Sequence, residues 1–528
     1  MGAVAHGRVS THGGGKQLEG LRRRGMAEQV RRLDASTAEY SDFVDVMKNN
    51  TPAILTNFSG LLPSFLPWQK DGRADVDFLR QEFGDMEVPV VECSPLEGYG
   101  EEKRVSMTLR EYLDAVHDGE RPEPTCGSSS DSGVGPVLYL KDWHFQRLMR
   151  EGKKSSHSGL APADGGGASA AGAMETPSFF RDDWLNWWCD RQGQDDYRFV
   201  YIGPPGSFTG LHHDVLNSFS WSFNVCGSKH WTLFPTEATP DLYDRYGRDL
   251  AKDVRSSRAD PDKFPRLDAA PRLEVYQGPG EAIFVPSGWH HQVVNTGDGR
   301  EGGGGLTVSV NTNWFNGFNL DKIAAFLRSE LSAVRAALDH IRETMSGGGG
   351  AGGAGGRREW ESQCELVMRA NSSFNVTDFA RLVTARARHL LGPRDAQDSV
   401  CDDDPERCRG SGASGRGSSS SNSSSGGAWQ QERWVVLALQ QVRAVLRELL
   451  VAPSADHVFL DGGGDSASLP DEDGATSGEG GDIEGGSDGG LRETLDAVEA
   501  YLLTRDVTRE QSSGASTALG PDGGGPVD

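Results

Sequence analysis

The chain has 528 residues, 36% hydrophobic and 25% charged, with 69 glycines and a formal net charge of −24 at pH 7. That length allows two to four domains. The acidic balance argues against direct nucleic-acid binding, which needs basic surface to displace counterions, and no apolar run reaches the ~18 residues that span a bilayer.

Seven cysteines (Cys93, Cys126, Cys189, Cys226, Cys364, Cys401 and Cys408) are scattered without Cys-X-X-Cys spacing. This usage reads as reduced thiols of an intracellular protein. With no apolar leader of the secretory kind, the expected location is the cytoplasm, with the nucleus also open. No feature of the sequence sets an oligomeric state.

Residues 1–34 carry 7 basic against 3 acidic side chains and read as a disordered leader. Residues 35–177 alternate helical and extended signals, an α/β flank. Helices are expected over 35–47, 75–83 and 108–116, and extended chain over 52–55 and 138–144. Within the flank, 152–175 is a low-complexity insert of Gly, Ala and Ser.

Residues 178–320 are denser. Short runs rich in Val, Ile, Phe and Trp, punctuated by Gly and Pro, fall at 197–203, 218–226, 230–234, 273–277, 282–285, 292–295 and 306–314. Many short strands with turn signals predict a closed double-sheet jelly roll. Beyond them, within 319–345, Ile323, Phe326, Leu327, Leu331, Val334, Leu338 and Ile341 form a helix-period stripe. With helices over 359–369 and 376–391, it places C-terminal helices in 321–392. From 393 to 528 the chain is an acidic, mostly disordered tail, with 10 Lys and Arg against 25 Asp and Glu from Arg394 onward. Helices are expected in it near 434–451 and 491–503. The first is apolar over too much of its circumference to stand alone in water.

Two segments carry the chemistry. Thr-Gly-Leu-His-His-Asp (209–214) sets His212 and Asp214 two residues apart, hence on one face of a strand. Phe-Val-Pro-Ser-Gly-Trp-His-His-Gln-Val (284–293) supplies another imidazole some 79 residues later. Two imidazoles and one carboxylate, with three positions left open, form the facial triad of non-haem Fe(II) oxygenases. Strand alternation turns His213 away, but it does not choose between His290 and His291. The remaining histidines are read as packing or as hydrogen-bonding behind the ligands. Trp184, Trp187 and Trp188 stand at helical spacing and read as core. Tyr201 is a candidate for the mouth of the site.

Four segments in order resemble the JmjC-domain 2-oxoglutarate oxygenases: Tyr-Ile-Gly-Pro-Pro-Gly-Ser-Phe-Thr-Gly-Leu-His-His-Asp-Val (201–215), Trp-Ser-Phe-Asn-Val-Cys-Gly-Ser-Lys-His-Trp-Thr-Leu-Phe-Pro (221–235), Phe-Val-Pro-Ser-Gly-Trp-His-His-Gln-Val-Val-Asn (284–295) and Val-Ser-Val-Asn-Thr-Asn-Trp-Phe-Asn (308–316). The resemblance implies a mainly β protein: a double-stranded β-helix, the cupin-like JmjC jelly roll, with flanking N-terminal and C-terminal helices. It implies His291 as the third ligand beside His212 and Asp214. It implies that Lys229 and Thr209 bind the far carboxylate of 2-oxoglutarate, and that Asn311 and Asn313 face this co-substrate. Fe(II), 2-oxoglutarate and O2 follow as cofactor and co-substrates. The likeness is strongest to a lysyl-hydroxylase branch, which implies hydroxylation at carbon 4 of a lysine in the eukaryotic translation termination release factor as the partner. The alternatives are a JmjC histone or protein lysine demethylase, since the same chemistry on an N-methyl carbon removes the methyl, and a non-catalytic cupin-type binding protein.

Overall fold

Alternation with a period of two runs through the strands and decides which face each side chain joins. In chain order the strands are β1 (Arg31–Asp34), β2 (Ala53–Thr56), the short pair β3 (Gln69–Lys70) and β4 (Arg73–Ala74), β5 (Glu87–Cys93), β6 (Arg104–Thr108), β7 (Val137–Trp143) and β8 (Arg198–Gly203). There follow β9 (Phe208–His212), β10 (Phe219–Cys226), β11 (Ser228–Phe234), β12 (Leu273–Gln277), β13 (Ala282–Val285), β14 (His290–Gly297) and β15 (Thr307–Trp314). The computed structural model describes residues 30–93, 103–117, 137–151, 176–257, 260–297, 305–342, 354–392, 424–451 and 488–515. The chain divides into two units, Met1–Lys322 and Ile323–Asp528.

All these strands lie in the first unit. Nine form a major sheet in the order β1-β2-β13-β10-β15-β8-β7-β5-β6, and four form a minor sheet, β12-β11-β14-β9. Among the described residues only β1 and β2 pair in parallel; the other ladders are antiparallel. The fold is a jelly roll with flanking helices, as the sequence implied. Neighbours in the sheets are distant in sequence, since β10 lies between β13 and β15. Side chains far apart in the chain therefore meet.

The two faces of the major sheet differ in kind. One set of alternating residues (Phe219, Trp221 and Phe223 on β10; Val308, Val310 and Trp314 on β15) is buried. Phe180 stacks on Trp221 with ring centroids 5.0 Å apart and planes 6° from parallel. Phe43, from the helix Tyr40–Asn49, meets Phe180 edge-on at 5.3 Å. The helix Trp184–Gln192 starts where the Asp183 carboxylate accepts from the Asn186 N–H at 2.9 Å, and Trp184 is in the core as its spacing predicts.

The opposite set on the same strands is small and polar: Ser220, Ser222, Ser309, Asn311 and Asn313. On the side of β2 and β13, the space between the sheets is filled by Ile54, Ile283 and Val285 against Trp231, Leu233, Val275 and Val293. A second apolar cluster, Leu211 and Phe234 with Ala238, Leu242, Val254, Phe264 and Leu267, packs residues 238–267 against the minor sheet.

The N-terminal boundary differs from the expected one. Arg31–Asp34, placed in the leader by sequence, runs parallel to Ala53–Thr56 as β1. Leu33 is the only apolar residue in it, so no hydrophobic run announces it, and pairing with β2 holds it extended. Likewise β5 and β6 extend the major sheet from within the flank, and Pro89 interrupts the pattern that would mark β5. Residues 1–29, the insert 152–175 and most of the tail lie outside the described residues.

The second unit is helical. Asn375 caps the helix Val376–Leu391, its side chain accepting from the Asp378 N–H at 2.8 Å. That helix packs against Ser424–Val451 and Asp488–Ala515, both longer than expected. Leu439, Val442, Val445 and Leu446 are buried, which is where the apolar circumference of the first tail helix goes. Among the described residues no helix is long and apolar enough to cross a membrane.

Phe180 is fully buried and meets the rings of Phe43, Phe58, Trp221 and Trp314. Phe180→Ala is expected to destabilise the first unit by about 3–5 kcal/mol through transfer and cavity terms, seen as a lower denaturant midpoint at unchanged slope. A loss below ~1 kcal/mol would show that the cluster can collapse around the gap.

Candidate active site

The minor sheet brings two imidazoles together. In the β9–β14 ladder His212 stands directly opposite His291, and the ring centroids are 4.3 Å apart. The Nδ1 of His212 lies 2.8 Å from the Gly210 carbonyl oxygen, and that of His291 lies 3.1 Å from the Trp289 carbonyl oxygen. A carbonyl only accepts, so each ring donates from Nδ1, which leaves Nε2 as the nitrogen available to a metal. Burial first, and then His291 beside it, push the His212 imidazole down to about 4. His212 is therefore held in its neutral, ligand-competent form.

Asp214 follows where β9 gives way to a turn, and its two oxygens are held separately. The Ser220 hydroxyl donates to Oδ2 at 2.7 Å and the Asn313 amide donates to Oδ1 at 2.8 Å. Asn313 pairs with Ser220 across the β10–β15 ladder, so both holders of the carboxylate are set by one register. One ligand atom from each of His212, Asp214 and His291 lies within 4.8 Å of the other two. Two imidazole nitrogens and one carboxylate oxygen, oriented by partners behind them, fit a divalent metal of borderline hardness. His213 and His290 face elsewhere and meet each other edge-on at 5.1 Å.

Lys229 stands on β11, 2% exposed. Its ammonium donates to the Ser309 hydroxyl at 2.6 Å and to the Ser222 hydroxyl at 3.4 Å, and Ser222 donates on to Asn311 at 2.9 Å. The rings of Tyr201 and Trp231 flank it at 5.7 and 5.8 Å. Among the described residues no carboxylate pairs with it, and burial pushes it down to about 7. A buried cation among hydroxyls and aromatic faces fits an anionic ligand. Thr209 stands opposite Val293 and, with Asn295, lies beside the Tyr139 hydroxyl. A Cβ on Gly203 would lie 2.6 Å from the Tyr139 ring and 2.7 Å from the Asn295 amide, so only glycine lets β8 pass so near them.

The seven residues singled out by sequence thus fall into two groups. His212, Asp214 and His291 converge. Lys229 and Asn311 join through Ser222, while Thr209 reaches Tyr139. Asn313, implied to face the co-substrate, has its amide committed to Asp214. Ser220, Ser222, Ser309 and Tyr139 were not singled out. For the three serines the signal was present as small polar residues two apart in β10 and β15, alternating with large apolar ones.

The cupin-like domain family matches residues 40–320, which hold all seven. Over 363 residues the chain is 37% identical to the 2-oxoglutarate and iron-dependent oxygenase JMJD4 of Homo sapiens, covering 68% of this chain and 76% of that protein. It is 30% identical over 368 residues to the arginine-specific demethylase JMJ20 of Arabidopsis thaliana, covering 66% and 68%. It is 33% identical over 155 residues to the bifunctional arginine demethylase and lysyl-hydroxylase psr-1 of Caenorhabditis briggsae, covering 28% and 36%.

Removing the Asn313 amide frees one oxygen of Asp214. Asn313→Ala is expected to lower affinity for a divalent metal by about 10–100-fold in a calorimetric titration with Mn(II). An unchanged affinity would take Asn313 out of the site.

Proposed function

Because the chain belongs to the cupin-like JmjC family of 2-oxoglutarate and iron-dependent oxygenases, we propose that it is a protein hydroxylase acting on a lysine side chain. Fe(II) is the cofactor, with 2-oxoglutarate and O2 as co-substrates. When bound, the iron supplies oxidative decarboxylation of the keto acid coupled to insertion of one oxygen into a C–H bond.

The chain's own residues position and shield that chemistry. His212, His291 and Asp214 would hold the metal through three donors and leave its other positions open. Lys229 and Thr209 would take the far carboxylate, with Ser309 and Ser222 keeping the ammonium in place. Trp231 and Val293 form an apolar wall beside His291 that keeps water out. One observation carries the reading: a buried ammonium whose polar partners among the described residues are hydroxyls stands in the same inter-sheet space as two imidazoles and a carboxylate. A non-catalytic binding protein has no need of both.

The target we infer is a lysine of the translation termination release factor, hydroxylated at carbon 4, which would place the protein in the cytoplasm. The lysyl-hydroxylase likeness of the sequence motifs supports this, and a net charge of −24 favours a basic partner. Demethylation at an N-methyl carbon is the second reading, favoured by the names of the Arabidopsis and Caenorhabditis relatives.

Purified protein with Fe(II) and the release factor is expected to form succinate from 2-oxoglutarate and to add the mass of one oxygen to a single lysine. His212→Ala is expected to abolish both. Lys229→Ala is expected to weaken 2-oxoglutarate roughly 30-fold or more by removing a buried charge partner. A methylated peptide that loses methyl groups while no lysine gains oxygen would favour the second reading. Absence of any succinate would end both.

The pH dependence has a definite sign. A carboxylate beside Lys229 favours its ammonium, so the complex holds the proton to higher pH than the free protein, where the group sits at about 7. Tyr201, which faces it, stays neutral because burial pushes the phenol well above its ordinary value. Affinity for 2-oxoglutarate is therefore full below pH 7 and falls as pH rises above it, by up to about tenfold per unit. Lys229→Met should flatten the profile, and a flat wild-type profile would contradict the assignment.

A further inference from the structure

Strand β7 bulges between Leu140 and Trp143, where its register with β8 shifts. Inside the bulge Asp142 has φ of 61°, a left-handed conformation that L-residues avoid unless their surroundings impose it. Bulges beside active sites commonly re-aim side chains. Here both carboxylate oxygens are engaged. The Tyr201 hydroxyl donates to Oδ1 at 2.8 Å, and Arg104 Nη2 lies 2.9 Å from Oδ2.

Tyr201 connects this bulge to the co-substrate site. It pairs with Ser309 across the β8–β15 ladder, and Ser309 accepts from Lys229. Its ring lies 5.7 Å from the Lys229 ammonium, within range of cation–π attraction. A ring free to rotate would take one of its two aromatic faces from that ammonium. Lys141, the neighbour of Asp142 in the same bulge, is buried.

We propose that Asp142 is a positioning residue of the co-substrate site: by holding the Tyr201 hydroxyl it fixes the aromatic face beside the Lys229 ammonium and so sets the affinity for the far carboxylate of 2-oxoglutarate. This rests on the assignment of Lys229 to that carboxylate. The side chains of Asp142 and Arg104 are 31% and 52% exposed, so the contact links the protein surface to the buried cation. Asp142 touches neither substrate nor metal.

The test is a calorimetric titration of 2-oxoglutarate into the full chain loaded with Mn(II) in place of iron, which reads binding without turnover. Tyr201→Phe and Asp142→Ala are each expected to weaken binding roughly five- to tenfold. The double variant should be no weaker than either single one, because both cut the same link. Asp142→Asn keeps an acceptor for the Tyr201 hydroxyl and tolerates the left-handed backbone, and it is expected to bind within about twofold of wild type. Tyr201→Phe disturbs no backbone, so it decides the matter if Asp142→Ala does not fold. Wild-type affinity in Tyr201→Phe, or additive losses in the double variant, would overturn the proposal. If Lys229→Ala loses binding while Tyr201→Phe keeps it, this inference alone falls. If wild type binds no 2-oxoglutarate, the functional reading falls with it.

Discussion

The pairing of β9 with β14 holds the site together. It sets His212 opposite His291, and each ring donates from Nδ1 to a carbonyl two residues back in the chain, leaving Nε2 as the nitrogen available to a metal. A slip of one residue would bring His213 or His290 inward instead and turn the ligands to the opposite face. The adjacent histidines make such a slip chemically invisible in the sequence. The apolar cluster around Leu211 and Phe234 opposes it, because a shifted register would take those side chains out of their packing.

A second constraint is the polarity between the sheets. Jelly rolls fill that space with apolar side chains, and on the side of β2 and β13 this one does. On the side of β15 and β8 it places serines, asparagines and a lysine. Leaving an ammonium 2% exposed costs free energy, lessened here by two hydroxyls and two aromatic faces. The cost is met by the opposite face of the same strands, where Trp221, Trp314 and Phe180 pack in close contact. Strand alternation lets one segment hold a rigid core on one side and a reactive site on the other.

Much of this was legible beforehand. The Val- and Trp-rich runs of 197–314 fall on strands within a residue or two, and the helix stripe from Ile323 is a helix. The two-residue spacings of His212 with Asp214, and of Asn311 with Asn313, predicted shared faces. What failed had a common cause. Arg31–Asp34 holds a single leucine, and β5 is broken by Pro89, so neither shows a pattern; both are strands because of the neighbour they pair with. The reading of Asn313 towards the co-substrate is a separate matter: its position names a face, and the β10–β15 register adds Asp214 as a partner of its amide.

By itself, then, the sequence determined the residue types of the site, which residues two apart share a face and the kind of fold that closes around them, because side-chain alternation and turn chemistry are local. Tertiary structure alone decided which serines support Lys229, that Tyr201 answers to Asp142 in a distant bulge, and which oxygen of Asp214 each partner holds. Those are contacts between strands far apart in the chain, and their register is set by the packing of the whole sheet.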